Sequence, residues 1–188
     1  MGKLKHKYFL DISPFSELKK IEIESDQKGT QYLSIGSLCT YSQIQASNEV
    51  KKYFPILAQT SFLTGAIAIQ NRGTLGGNIA NASPAADSLP ALLVYNADIV
   101  LRSAHGNRRL KYKDFHQDYK KMDLRQGEII ESVKLPLGFA VPDAAASLLA
   151  KTNSGICHLY KKIGTRSFQS ISKVSVAIVA HVEAQSIK

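Results

Sequence analysis

The chain has 188 residues, 44% of them hydrophobic, enough for one domain or two small subdomains sharing a core. Its formal net charge is +9, but the lysines are scattered in ones and twos (Lys19/Lys20, Lys51/Lys52, Lys120/Lys121) without a long block or an aromatic stacking motif, which argues against a nucleic-acid partner. No apolar run reaches spanning length and the lysine-rich start leads into no signal-type core, so the chain reads as soluble and cytoplasmic, with no membrane partner.

Tyr8-Phe9-Leu10 predicts a short strand, and Ser13-Pro14 an N-cap with proline at N1, opening a helical turn through Leu18. Ile21 and Ile23 alternate with charges, Asp26 to Gly29 is a turn, and Tyr32 to Ile35 returns; together they predict a hairpin. Thr40-Tyr41-Ser42-Gln43 fits a capping box and starts a short helix through Ile44 and Ala46. Pro55 starts a second helix, with Ile56, Leu57, Phe62 and Leu63 at helical spacing until Gly65.

Ala66 to Ile69 then leads into Asn71-Arg72-Gly73-Thr74-Leu75-Gly76-Gly77-Asn78, with Asn81, Ser83 and Asp87 close behind. Successive glycines let backbone N–H groups curl around an anion, and Thr74 and Asn78 add side-chain donors. Asp87 and Ser88 stand where the next helix starts, as a cap or as ligands for sugar hydroxyls. The residues describe a phosphate cradle beside a polyhydroxyl site, which suits a nucleotide cofactor. Gly77 is followed by Asn78-Ile79, not by Lys and Ser/Thr, so this is no Walker loop; the G-x-x-G-G spacing is no Rossmann fingerprint either. On glycine count alone the same residues describe a polar turn joining two elements.

Pro90 requires the following helix to begin near Ser88; Leu89, Leu92 and Leu93 give its buried face and Asn96 its end. Ile99 to Leu101 and Arg109 to Tyr112 flank His105-Gly106-Asn107, a hairpin signal. Ile129, Val133 and Leu135 alternate as a further strand. Residues 141–155, rich in small side chains, read as a linker, and Val174, Val176, Ile178, Ala180 and Val182 fall on one face of a last strand. Cys39 and Cys157 are far apart with no ligand-spaced partner, which speaks against an iron–sulfur cluster, zinc or other metal in this chain and leaves both as buried or inert thiols. His116, His158 and His181 lie in no catalytic motif.

The stretch Asn71 to Asn78, followed by Ala82-Ser83-Pro84-Ala85-Ala86-Asp87, resembles the second flavin-binding motif of the molybdenum hydroxylases, the FAD subunit or domain of the xanthine dehydrogenase, aldehyde oxidase and carbon monoxide dehydrogenase group. The resemblance extends through Asp11-Ile12-Ser13, Ile35-Gly36-Ser37-Leu38, Phe54-Pro55-Ile56-Leu57, Leu89-Pro90-Ala91-Leu92, Asp114-Phe115, Glu128-Ile129-Ile130 and Tyr160 to Arg166. It implies an α+β fold, an antiparallel sheet with helices, like the FAD-binding domain of the vanillyl-alcohol-oxidase-like superfamily without its first subdomain. Carried over by position, it implies that Thr74, Leu75, Gly76, Gly77 and Asn78 hold the pyrophosphate, that Asp87 bonds flavin-nucleotide hydroxyls, that Ile130 lies against the cofactor and that Lys161 stands near the isoalloxazine. Taken as residues alone, Asp87 is a helix-terminus carboxylate, Ile130 ordinary core and Lys161 a surface lysine.

The resemblance further implies an electron relay: a molybdenum cofactor on a large partner subunit, 2Fe–2S clusters on another subunit or domain, FAD here, and NAD or another acceptor. The family's earlier glycine-rich motif lies ahead of the residues matching Leu4-Lys5 and is not found here, and its C-terminal subdomain runs past Val182. The expected organisation is therefore a main FAD-binding subdomain at 1–140, a linker at 141–155 and the start of a truncated C-terminal subdomain at 156–188. Weak FAD binding and an apolar, self-associating last strand are the expected consequences. The alternative is a flavin-free fragment that only docks to other subunits.

Overall fold

Strands β1 (Ile21–Ser25) and β2 (Gln31–Gly36) form an antiparallel hairpin, with Ile23 opposite Leu33. Asp26 shapes its turn by accepting from the backbone N–H of Lys28 and Thr30, and Gly29 closes it at φ +80°. The computed structural model describes residues 8–139, 154–166, 170–183 and 186–187. Strands β3 (Asp98–Ser103) and β4 (Gly106–Lys111) make the second expected hairpin. β7 (Ile129–Pro136) inserts between the two, so the sheet runs β1-β2-β7-β3-β4, antiparallel throughout. Between these come the small ribbon β5 (His116–Asp118) and β6 (Lys121–Met122).

The helices cover one side of this sheet: α1 (Tyr41–Ala46), α2 (Asn48–Tyr53), α3 (Pro55–Leu63), α4 (Ile67–Gln70), α5 (Leu75–Asn81), α6 (Ser88–Val94) and α7 (Tyr112–Phe115). The capping box on α1 is present, with Thr40 and Gln43 exchanging bonds. α2 has no counterpart among the expected elements; Ser47 caps it by accepting from Val50 N–H. Pro55 occupies the first turn of α3, and Asn96, at φ 50°, follows the end of α6 in the left-handed region. Leu33, Ile35, Ile56, Leu57, Leu75, Ile79, Leu92, Ile99, Val133 and Leu135 form the core between layers.

Several expectations are corrected. Tyr8 to Leu10 is not a strand, and Ser13 caps no helix: Asp11 accepts from its N–H and hydroxyl, and a 3-10 turn follows at Ser16–Lys19. In β7 the core position is Ile130, not Ile129. Val100 pairs with Ser132 but Leu101 with Ile130, so Glu131 bulges and reverses the phase of the strand. Residues 141–153 of the expected linker lie outside the described residues, and its last two residues belong to β8 (Ser154–Gly164).

β8, β9 (Ser172–Glu183) and β10 (Ser186–Ile187) form a second antiparallel sheet in the order β10-β9-β8. Its inner face meets α3 and α6 through Tyr95, at the end of α6. The Tyr95 hydroxyl accepts from Ile56 N–H (3.1 Å), one of the unpaired donors at the start of α3, and lies 2.8 Å from His158 Nδ1. Its ring packs edge-on against Phe54 at 5.0 Å. The outer face exposes Leu159, Ile163, Val174, Val176 and Ile178. Cys39 is buried, its thiol pushed up to about 11 by burial, whereas Cys157 is exposed.

Candidate cofactor site

The glycine stretch folds as the start of α5, anchored beneath by residues 37–41. A β-bridge joins Thr40 to Thr74, and Tyr41 N–H donates to Gly73 O at 3.1 Å. Thr74 is the N-cap, its hydroxyl oxygen accepting from Gly77 N–H at 3.1 Å. The other early amides are equally committed: Leu75 N–H to Cys39 O (3.0 Å), Gly76 N–H to Ser37 O (2.9 Å) and Asn78 N–H to Thr74 O (3.0 Å). The open nest of backbone N–H groups read from the sequence is therefore not formed, because Leu75 and Gly76 spend their amides on the 37–41 segment and Gly77 and Asn78 spend theirs on Thr74.

The two adjacent glycines separate in role. A Cβ on Gly76 would stand 2.5 Å from Ser37 Cβ and 2.7 Å from Ser37 O, so glycine is required for α5 to sit on that backbone. A Cβ on Gly77 would meet only the Thr74 hydroxyl, at 3.0 Å, and the residue faces solvent. Leu75 is fully buried in the core. Of the five residues assigned to the pyrophosphate, Leu75 and Gly76 thus serve packing. Thr74, Gly77 and Asn78 offer a hydroxyl hydrogen, a flat surface and a side-chain amide.

Asp87 precedes α6 but makes no side-chain cap bond. Its Oδ2 instead accepts from Lys162 Nζ at 2.7 Å, with the side chains 10% and 9% exposed. Its Oδ1 is buried and makes no hydrogen bond of good geometry among the described residues; the Tyr160 hydroxyl, equally unsatisfied, leans on the same carboxylate from nearby. Burial pushes the Asp87 carboxyl above its ordinary value, opposed by the hydrogen bond and charge of Lys162. Burial, with the Asp87 charge adding to it, pushes the Tyr160 phenol up to about 12. Ser88, wholly buried, donates to Asn78 Oδ1 at 2.5 Å and ties α6 to α5.

One expected position is displaced. Lys161 is exposed on the outer face of β8, paired in register with Val176; strand alternation sends Lys162 inward to Asp87. Ile130 is 7% exposed, within the core cluster. Lys162 and Tyr160 were not singled out as site residues from the sequence, and Ser88 only as a cap or a direct ligand for sugar hydroxyls. The parity of β8 carries a signal for the first two, whereas nothing local announces the Ser88–Asn78 bond.

At the far end of α5 a cavity of about 400 Å³ opens, lined among others by Ala82, Leu89, Leu93, Tyr112, His116 and Tyr119. His116 Nε2 reaches Ile79 O at 2.9 Å while Nδ1 meets the Tyr112 hydroxyl at 3.2 Å, so this histidine closes the last turn of α5. Among the described residues, no cluster of His, Cys, Asp or Glu could hold a metal ion, and no helix is long and apolar enough to cross a membrane.

The fold defines a class. It is shared with a chain of Cu,Mo-CO dehydrogenase (TM-score 0.76, 22% identity, 94% of this chain and 55% of that one) and with a chain of carbon monoxide dehydrogenase from Hydrogenophaga pseudoflava (TM-score 0.79, 22% identity, 95% and 55%). Residues 1–138 match the family described as the FAD binding domain in molybdopterin dehydrogenase, and the chain belongs to that family. Its relatives include the glyceraldehyde dehydrogenase medium chain of Sulfolobus acidocaldarius, 33% identical over 69% of this chain and 44% of that protein. Others are the nicotinate dehydrogenase FAD-subunit of Eubacterium barkeri (30%, 77% and 48%) and the xanthine dehydrogenase FAD-binding subunit of Escherichia coli O157:H7 (29%, 70% and 44%). The chain spans about half the length of the curated relatives it matches.

Proposed function

We propose that the chain is the flavoprotein component of a molybdopterin-dependent dehydrogenase, binding FAD and relaying electrons from iron–sulfur clusters to NAD or another acceptor. The observation that carries this reading is the buried Asp87 Oδ1. It is an acceptor with no hydrogen bond of good geometry among the described residues, on a carboxylate held beside Lys162, in the turn that follows the glycine motif. A ribityl or ribose hydroxyl set between Asp87 Oδ1 and the neighbouring Tyr160 hydroxyl would satisfy both.

The residues fit FAD through side chains more than through an amide nest. The Thr74 hydroxyl and the Asn78 amide donate to the pyrophosphate, and Gly77 admits it closely. Asp87 accepts from nucleotide hydroxyls, and Lys162 takes the place expected for Lys161 as the cation of the site. FAD, when bound, supplies the redox chemistry, while the chain binds and orients it. No acid, base or nucleophile is required of the protein. The molybdenum cofactor and 2Fe–2S clusters belong to partner subunits in this reading, supported by relatives named as medium chains and FAD subunits.

One observation favours a second reading, a flavin-free subunit-interaction fragment: every early amide of α5 is already bonded within the chain. A titration of the purified chain with FAD, followed by absorbance and fluorescence, separates the two. A bound-flavin spectrum that weakens on Gly77→Val supports the relay. No spectral change at high FAD favours the fragment.

A further inference from the structure

Ser88 has two sequence readings, a helix cap and a direct ligand for sugar hydroxyls, and the structure supports neither. The N-cap position of α6 is Asp87, and Ser88 is 1% exposed, too buried to touch a ligand. Its hydroxyl donates to Asn78 Oδ1 instead.

A carboxamide carries an acceptor oxygen at one end and two donors at the other. Since the amides of Leu75, Gly76, Gly77 and Asn78 are all committed, the Asn78 NH2 is, with the Thr74 hydroxyl, a side-chain donor left beside Gly77 for an anionic ligand. Presenting that NH2 turns Oδ1 away from the ligand into a half-buried setting, where it needs a donor of its own. The Ser88 hydroxyl is that donor. We propose that Ser88 is a positioning residue: by satisfying Asn78 Oδ1 it holds the Asn78 amide with its NH2 turned to the phosphate oxygens of a dinucleotide.

This inference rests on the flavin reading of the site, and its test separates the two. FAD affinity is measured by fluorescence titration for the wild-type chain, Ser88→Ala, Asn78→Ala and the double variant, with thermal midpoints recorded for each. Ser88→Ala is expected to weaken binding by about three- to tenfold, the size of one hydrogen bond. In the Asn78→Ala background the same change is expected to add nothing, because its effect passes through Asn78. If Ser88→Ala does not fold, Ser88→Cys, similar in size with a weaker donor, is expected to weaken binding by a smaller factor that also vanishes without Asn78. Unchanged affinity in the Ser88 variants, or an equal loss in both backgrounds, overturns the proposal alone. A wild-type chain that takes up no FAD overturns the flavin reading and the proposal with it.

Discussion

Asp87 and Lys162, 75 residues apart, meet at 2.7 Å with their side chains about nine-tenths buried. This pair fastens the β8–β9 hairpin to the turn after α5, so the second sheet is tied to the segment that follows the glycine motif. Removing the lysine leaves the carboxylate buried and uncompensated, and Lys162→Met is expected to lower stability by about 3 kcal/mol, read from urea unfolding at pH 7.

The same carboxyl gives a pH signature. Its folded value lies above the ordinary 3.8, chiefly through burial, so the folded chain holds this proton more tightly than the unfolded one. The corresponding stabilisation is present below the ordinary value and is lost as pH rises through the folded one. Lys162→Met removes the opposing charge and should extend that window upward, visible as an Asp87 carboxyl NMR titration moved to higher pH. A titration at or below the ordinary value in the wild-type chain would contradict this.

Gly76 and Gly77 should respond oppositely to substitution. Gly76→Ala drives a Cβ into Ser37 and is expected to destabilise the fold by about 1–3 kcal/mol, lowering the thermal midpoint by roughly 3–10 °C. Gly77→Val leaves the midpoint nearly unchanged but blocks close approach to the helix start, so it should lower FAD affinity without unfolding the chain.

Glu128 and Asp123 both grip the Arg108 guanidinium, at 2.7 and 2.9 Å. The hydrogen bond from Arg108 holds the Glu128 carboxyl down to about 2, against an ordinary 4.5. A depressed acid stabilises the fold above its ordinary value and loses that contribution as pH falls. Glu128→Gln should therefore be less stable than wild type at pH 6, with the difference disappearing as pH falls from 4.5 to about 2 in paired denaturant melts.

Tyr95→Phe deletes the acceptor for Ile56 N–H and the partner of His158 while keeping the ring on Phe54. It is expected to destabilise by about 1–3 kcal/mol and to speed hydrogen exchange at the start of α3. On the outside of the hairpin, the exposed row Val174, Val176 and Ile178 should make the chain self-associate on sizing at high concentration, and Val176→Lys should abolish this.

The sequence by itself determined the local grammar of this protein. The two hairpins, the capping box at Thr40, the start of α6 at Ser88 and the strand at Val174 are all legible in it. Each is set by turn chemistry, capping or alternation within a few residues. The motif from Asn71 to Asp87 was also legible, enough to place the chain in its family. Tertiary structure decided what the motif's atoms do. The amides of α5 bond to Ser37, Cys39 and Thr74, a bulge at Glu131 turns Ile130 into the core, and pairing in β8 sends Lys162 rather than Lys161 to Asp87. These outcomes depend on contacts across tens of residues, where hydrogen-bond satisfaction and strand phase are settled by a neighbour that the local sequence does not contain.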